Sequence, residues 1–196
     1  MNDALLERRA TFARMDQGSE EDWAVISAHN GAFARGLADR VIEHLELLKA
    51  DAGGFAVDRF EHSLQTATLA ANAGKDDEYI VCALLHDIGD TLGSFNHADI
   101  AATILEPFVS EENHWIVKHH GIFQGYYFFH YIGLDRNLRD RYVDHEYYEP
   151  CAAFCRLDQA AFDPDFKSAP LSEFEPMVRK LFAAPKRSLY MADASA

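Results

Sequence analysis

The stretch CALLHDIGD, Cys82 to Asp90, constrains this chain more than any other. Ile80 to Leu85 is an apolar run that reads as a core-facing helix, and it ends in His86-Asp87 before Gly89 stops it. Two side chains that bind metals well therefore stand at the inner end of an apolar helix. A buried carboxylate without a partner is costly there, and a cation answers that cost. Adjacent residues on a helix point about 100° apart, so His86 and Asp87 address different sides of whatever they hold. A carboxylate has two oxygens, so Asp87 can bridge two ions while His86 serves one.

The rest of the chain reads as helical too, with no convincing strand series. The periodicity predicts a short first helix over Asp3 to Met15, a second capped by Ser19, and a longer one from Ala32 to Lys49 broken at Gly53-Gly54. Asp58 opens the next, ended by Gly74, and Asp76 or Asp77 opens the helix that carries Ile80 to His86. Asn96 is the expected N-cap of a helix from His97 to about Glu106. Ser110 caps one expected to stop at Gly121. Gln124 to Tyr148 reads as irregular and aromatic-rich, Pro150 as the first residue of a helix to about Phe162, and Leu171 to Phe182 as a last helix before a loose tail.

Ten histidines are many for this length, and position separates them. His62 shares a helix face with Thr66, Leu69 and Ala73, which looks inward. His97 lies in the first turn of its helix, and His119 and His120 end another. Cys151, Phe154, Cys155 and Asp158 fall at i, i+3, i+4, i+7, so one apolar stripe ends in a carboxylate that wants a metal or an arginine. Imidazole with carboxylate suits iron, manganese, zinc or nickel. Net charge is −14, which argues against nucleic-acid or anionic-membrane partners; an anionic ligand would need local cations. No apolar run approaches the roughly 20 residues of a membrane span. Cys82, Cys151 and Cys155, each in an apolar helical context, read as buried thiols in a reducing compartment. The expectation is a cytoplasmic protein.

The order His62, His86-Asp87, Asp158 resembles the ligand pattern of the HD-domain superfamily, with ALLHDIGD similar to its central signature. The resemblance implies an all-α, HD-domain helical bundle with long aromatic-rich loops. It would be a single domain with an N-terminal helical extension over 1–55, a metal-binding core over 58–162 and a C-terminal helix and tail over 163–196. Most members are phosphohydrolases. Two further histidines make the site dinuclear: His62, His86, Asp87 and Asp158 would serve one ion, and His97, His120 (or His119) and the bridging Asp87 the other.

FEHSLQTATLAANAGKDDEYIVCALLHDIGD, Phe60 to Asp90, narrows this resemblance to the HD-domain mixed-valence diiron oxygenases. These cleave 2-amino-1-hydroxyethylphosphonate or its trimethylammonium counterpart. NHADIAATIL supplies His97, VKHHG favours His120 as the fourth histidine, and FCRLDQ supplies Asp158. The resemblance implies two iron ions as a mixed-valence Fe(II)/Fe(III) pair. With O2 they would cleave a 1-hydroxy-2-aminoalkylphosphonate, above all 1-hydroxy-2-(trimethylamino)ethylphosphonate to glycine betaine and phosphate. Gln124 stands where the family has a lysine, and Arg156 lies two residues before Asp158 instead of three. A trimethylammonium group has no N–H donors, so aromatic faces must hold it. Tyr126 and Tyr127 are the expected box, and Arg141, Arg156 and Gln124 are candidates for the phosphonate side. Otherwise the aromatic stretch is a packed lid or a homo-oligomer surface, and the arginines are solvated charges. The second reading of the chain is an HD phosphohydrolase of a nucleotide or small phosphate ester, and the third is a silent HD module that binds a partner.

Overall fold

The computed structural model describes residues 3–188, which contain helices and no strand. Residues 189–196 of the expected tail lie outside the described chain. No helix among the described residues is long and apolar enough to cross a membrane. The chain forms two compact units, Met1–Val41 and Ile42–Ala196.

In the first unit, α1 (Asp3–Leu6) is a single turn, and the expected continuation to Met15 does not form. Asp22 explains why. Its carboxylate accepts from the Thr11 amide at 2.8 Å and the Thr11 hydroxyl at 3.2 Å, taking a backbone donor that a helix would need. The same carboxylate accepts from the Ser19 amide while the Ser19 hydroxyl accepts from the Asp22 amide, a reciprocal cap that starts α2 (Glu20–Arg35). The hydrogen bonds from Ser19, joined by those from Thr11, hold the Asp22 carboxyl down at about 2. A continuous helix from Ala32 is not formed either. Gly36 ends α2 with its amide on Phe33 O, and α3 (Leu37–Leu45) follows, running past the end of the first unit at Val41; a 3-10 turn over Glu46–Leu48 comes next in the second.

The second unit is built around one helix. Asp58 caps α4 (Arg59–Asn72), and Asp76 caps α5 (Asp77–Leu85) through the Tyr79 amide at 2.9 Å. Every residue from Tyr79 to Leu85 is buried, and α5 packs against α4, α7 (Glu111–Phe128) and α9 (Leu171–Phe182). A helix that is apolar all round has no solvent face to offer and takes the middle of the bundle. His86 follows directly and is 0 % exposed. Cys82, Cys151 and Cys155 are buried free thiols.

Three helices differ at their ends from their sequence expectations. Asn96 occupies the N-cap position of α6 (His97–Leu105), but its side chain makes no capping hydrogen bond. The helix α7 begins at Ser110 as expected, then runs through Gly121 to Phe128. An interior glycine costs about 1 kcal/mol, and packing on α6 and on the helix over Tyr148–Asp158 outweighs it. At Gly125 the missing side chain is used: an added Cβ would lie 2.3 Å from the Phe129 ring. The helix α8 (Tyr148–Asp158) starts two residues before Pro150, which is tolerated because first-turn amides lack helical partners anyway. It stops at Asp158, so Phe162 lies beyond it.

A 3-10 turn, Ile88–Thr91, joins α5 to α6 and packs closely against α6. A Cβ on Gly89 would sit 2.3 Å from the His97 carbonyl oxygen and 2.9 Å from Ile100 Cβ. Only a glycine lets the start of α6 lie against this turn. Gly89→Ala is therefore expected to destabilise the protein by roughly 1–3 kcal/mol, a fall of several degrees in Tm measured by thermal melting. An unchanged Tm would show that α6 yields without cost.

Candidate metal centre

Five elements deliver six polar side chains to one place. His62 comes from α4, His86 and Asp87 from the end of α5, His97 from the first residue of α6, His120 from α7 and Asp158 from the last residue of α8. His62, His86, His120 and Asp158 are 0 to 3 % exposed, which rules out hydration as their stabiliser.

The hydrogen bonds behind the rings fix what the rings present in front. His62 Nδ1 lies 2.9 Å from Ala161 O, His86 Nδ1 2.8 Å from Ala83 O and His120 Nδ1 2.6 Å from Val117 O. A carbonyl only accepts, so each Nδ1 carries the proton and each Nε2 is left with a lone pair. Those lone pairs face one another. His62 Nε2 and His86 Nε2 are 3.2 Å apart, and so are His97 Nε2 and His120 Nε2. Two acceptors at that distance repel unless a cation or an added proton lies between them.

Asp87 stands between the two pairs. Its Oδ2 lies 3.5 Å from His62 Nε2 and 3.4 Å from His86 Nε2. Its Oδ1 lies 3.3 Å from His97 Nε2 and 3.2 Å from His120 Nε2. Asp158 Oδ1 adds contacts of 3.2 and 3.6 Å to His62 and His86, while its Oδ2 is buried and finds no hydrogen-bond partner among the described residues. Ligands about 2.0–2.1 Å from one ion sit roughly 3.0–3.4 Å from each other, so these spacings fit metal coordination. Two groups, His62-His86-Asp87 and Asp87-His97-His120, could each hold an ion, and Asp87 belongs to both.

The electrostatics agree with a centre that demands positive charge. Burial opposes protonation of His62, His86 and His120, yet the neighbouring Asp158 and Asp87 outweigh it and raise all three above the ordinary 6.5. Burial likewise opposes the ionised forms of Asp87 and Asp158, but the facing imidazoles hold both below the usual carboxylate range. His97 goes the other way. Burial lowers it, and the charge on His120 adds to that.

A cavity of about 610 Å³ opens onto the centre. Its wall includes His62, Asp87, His97, His120 and Asp158, together with Gln124 and Lys118. Five phenylalanines, Phe55, Phe95, Phe128, Phe129 and Phe162, line it as well. Phe162 stacks on the His62 ring at 4.2 Å, and Phe55 stacks on Phe162 at 4.6 Å.

A family model described as HD domain matches residues 59–159, just over half of the chain. The chain belongs to the HD-domain family. No curated protein matches it. The HD pair of the signature is His86-Asp87, and membership supports a metal-dependent HD-superfamily enzyme. HD domains bind divalent metals, and the histidine and aspartate groups above are suited to hold them.

The structure places other expected residues elsewhere. His120, not His119, points into the HD centre; His119 bonds Trp115 O at 2.8 Å and stacks on the Trp115 ring. Gln124 lines the cavity, one turn from His120 on α7. Tyr126, Tyr127, Arg141 and Arg156 are not among its lining residues. Arg136 and Arg139 lie over the Tyr126 ring at 4.2 and 3.8 Å, so the chain's own cations already pack on it. Tyr127 shares the His120 face but lies about 10 Å further along the helix axis. Arg141 packs over Tyr142, and Arg156 is exposed, two residues and so about 200° round α8 from Asp158. The sequence reading also passed over Asp90, Arg59, Phe55 and Phe162. Asp90 was visible inside the HDIGD signature itself; the phenylalanines had no signal, because they come from turns that flank the helices.

The pKa directions give a test. In chelator-treated protein the raised histidines stabilise the fold fully below about 6.5, and that contribution is lost as pH rises through their folded values. The lowered aspartates stabilise it above the unfolded value of 3.8, a contribution lost only in acid. Tm of the chelated protein should therefore fall as pH rises above about 6.5, and added divalent metal should abolish the fall by replacing the protons. A flat profile without metal would contradict this account.

Proposed function

We propose that this HD-domain protein is a diiron oxygenase that cleaves the C–P bond of a 1-hydroxy-2-aminoalkylphosphonate. The favoured substrate is 1-hydroxy-2-(trimethylamino)ethylphosphonate, converted with O2 to glycine betaine and phosphate. The carrying observation is Asp87: its two oxygens face two separate histidine pairs, an arrangement suited to two bridged ions. The proposed iron ligands are His62, His86, Asp87, His97, His120 and Asp158. A mixed-valence iron pair held there would supply O2 activation.

The chemistry balances without an external reductant. The substrate's C1 is oxidised from a secondary alcohol carbon to a carboxylate, the C–P bond breaks, and both atoms of O2 end in carboxylate and phosphate with release of one proton. The protein's own side chains bind, orient and shield. Lys118 and Gln124 stand on the cavity wall for the phosphonate, and the phenylalanines offer ring faces for the quaternary ammonium. The phenylalanine wall takes the place first expected of Tyr126 and Tyr127. Phe162, stacked on His62, keeps water from that side of the centre.

The decisive assay is phosphate release from the trimethylammonium substrate by iron-loaded protein, with and without O2. Release should require O2 and yield one betaine per phosphate. Phosphate ester hydrolysis supported by Mn or Mg in the absence of O2 would instead assign a phosphohydrolase. Phe55→Ala should raise KM for the trimethylammonium substrate roughly two- to fivefold, with less effect on the primary amine. Equal effects on both would remove Phe55 from ammonium recognition.

A further inference from the structure

We propose that Asp90 is the positioning residue for His97, and through it for the second of the two cation positions. The inference rests on the two-cation reading of the centre, not on the oxygenase chemistry. Three of the four imidazoles are locked from behind by backbone carbonyls of Ala161, Ala83 and Val117. His97 is the exception: its Nδ1 lies 3.2 Å from Asp90 Oδ1. Its backbone gives little help. His97 opens α6, Asn96 makes no side-chain cap, and the His97 side chain is 28 % exposed toward the cavity. Without Asp90 the ring has no partner at Nδ1 to select its tautomer or its rotation.

Asp90 is itself held. Its second oxygen accepts from the Arg59 guanidinium, and its side chain is 9 % exposed. Arg59 Nε reaches Asp51 Oδ2 at 3.3 Å, and the Arg59 amide bonds Asp51 O at 3.0 Å. The turn that carries Asp51 wraps the guanidinium so closely that a Cβ on Gly53, where φ is +54°, would lie 2.7 Å from Arg59 Nη2. The result is a relay of charge-assisted contacts, Asp51 to Arg59 to Asp90 to His97, in which each member fixes the next. A carboxylate behind a ligating imidazole both fixes the tautomer with Nε2 free and makes that nitrogen a stronger donor to a metal. Gly89 makes the contact geometrically possible by letting α6 approach the turn that holds Asp90.

Manganese(II) is the probe, read by metal analysis and by electron paramagnetic resonance, which separates an exchange-coupled pair from an isolated ion. Wild-type protein should take up two Mn(II) as a coupled pair. Asp90→Asn should weaken the second Mn(II) roughly 10- to 100-fold, leave the first within about twofold, and give the isolated-ion spectrum at intermediate metal. Asp90→Ala should weaken it further. If Asp90→Ala does not fold by circular dichroism, the isosteric Asp90→Asn decides the matter. Wild-type affinity for both ions in Asp90→Asn would overturn the proposal, as would equal loss of both ions or uptake of a single ion by the wild type. Because the readout is metal binding, a failure of O2-dependent turnover with iron would reject the proposed function and leave this result standing.

Discussion

Four imidazole nitrogens that face each other across about one hydrogen-bond length, with their protons committed to the opposite side of each ring, are the constraint on which the rest of the second unit depends. Lone pairs at that separation are tolerable only around positive charge. Asp87 and Asp158 answer part of the problem by attracting protons to the histidines, and metal cations answer it more fully. The helices can therefore be viewed as a device for holding carbonyls. Ala83 and Val117 each lie three residues before the ring they lock, so a helix terminus and a helix interior do the same work.

Holding these carbonyls and rings in register takes packing as well as polar bonds. The buried α5 fixes His86 because no residue from Tyr79 to Leu85 could turn to solvent without exposing another apolar face. The early end of α8 matters as much. Stopping at Asp158 frees Ala161 and Phe162 to fold onto His62, one supplying the carbonyl behind the ring and the other a stacked face. A helix that continued to Phe162 would carry both away from the site.

That contrast shows what was legible in the sequence. The central helix, its end at His86-Asp87 and the stripe ending at Asp158 follow from local periodicity, and periodicity is a short-range property. Caps at Ser19, Asp58, Asp76 and Ser110 were legible for the same reason. Helix ends ruled by tertiary contacts were not. Gly121 reads as a stop, yet α7 passes through it because its neighbours hold it. The choice between His119 and His120 needs the rotation of α7 about its axis, which packing on α8 and α6 sets. The aromatic wall was legible only in part: Phe128 and Phe129 belong to the aromatic stretch that composition marks, while Phe55, Phe95 and Phe162 reach the cavity from separated turns.

The two halves of the centre are not equivalent, and this bears on how an acidic chain can take an anionic substrate. The His62-His86-Asp158 side is deeply buried, with its imidazoles locked by backbone and one ring covered by Phe162. The His97 side opens to the cavity and is held by a side-chain relay. A net charge of −14 repels a phosphonate at long range, but solvent ions screen that repulsion beyond about 8–10 Å. Inside the cavity, two metal cations would outweigh Asp87, Asp99 and Asp158, and Arg59 offsets Asp90. In the proposed function, then, attraction is local and generated by the metals. The anionic end of the substrate is drawn to the centre, while its ammonium end finds the ring faces of the phenylalanine wall. A wall of aspartates would bind an ammonium more strongly, but it would also compete with the phosphonate for the cations. Phenylalanine separates the two tasks.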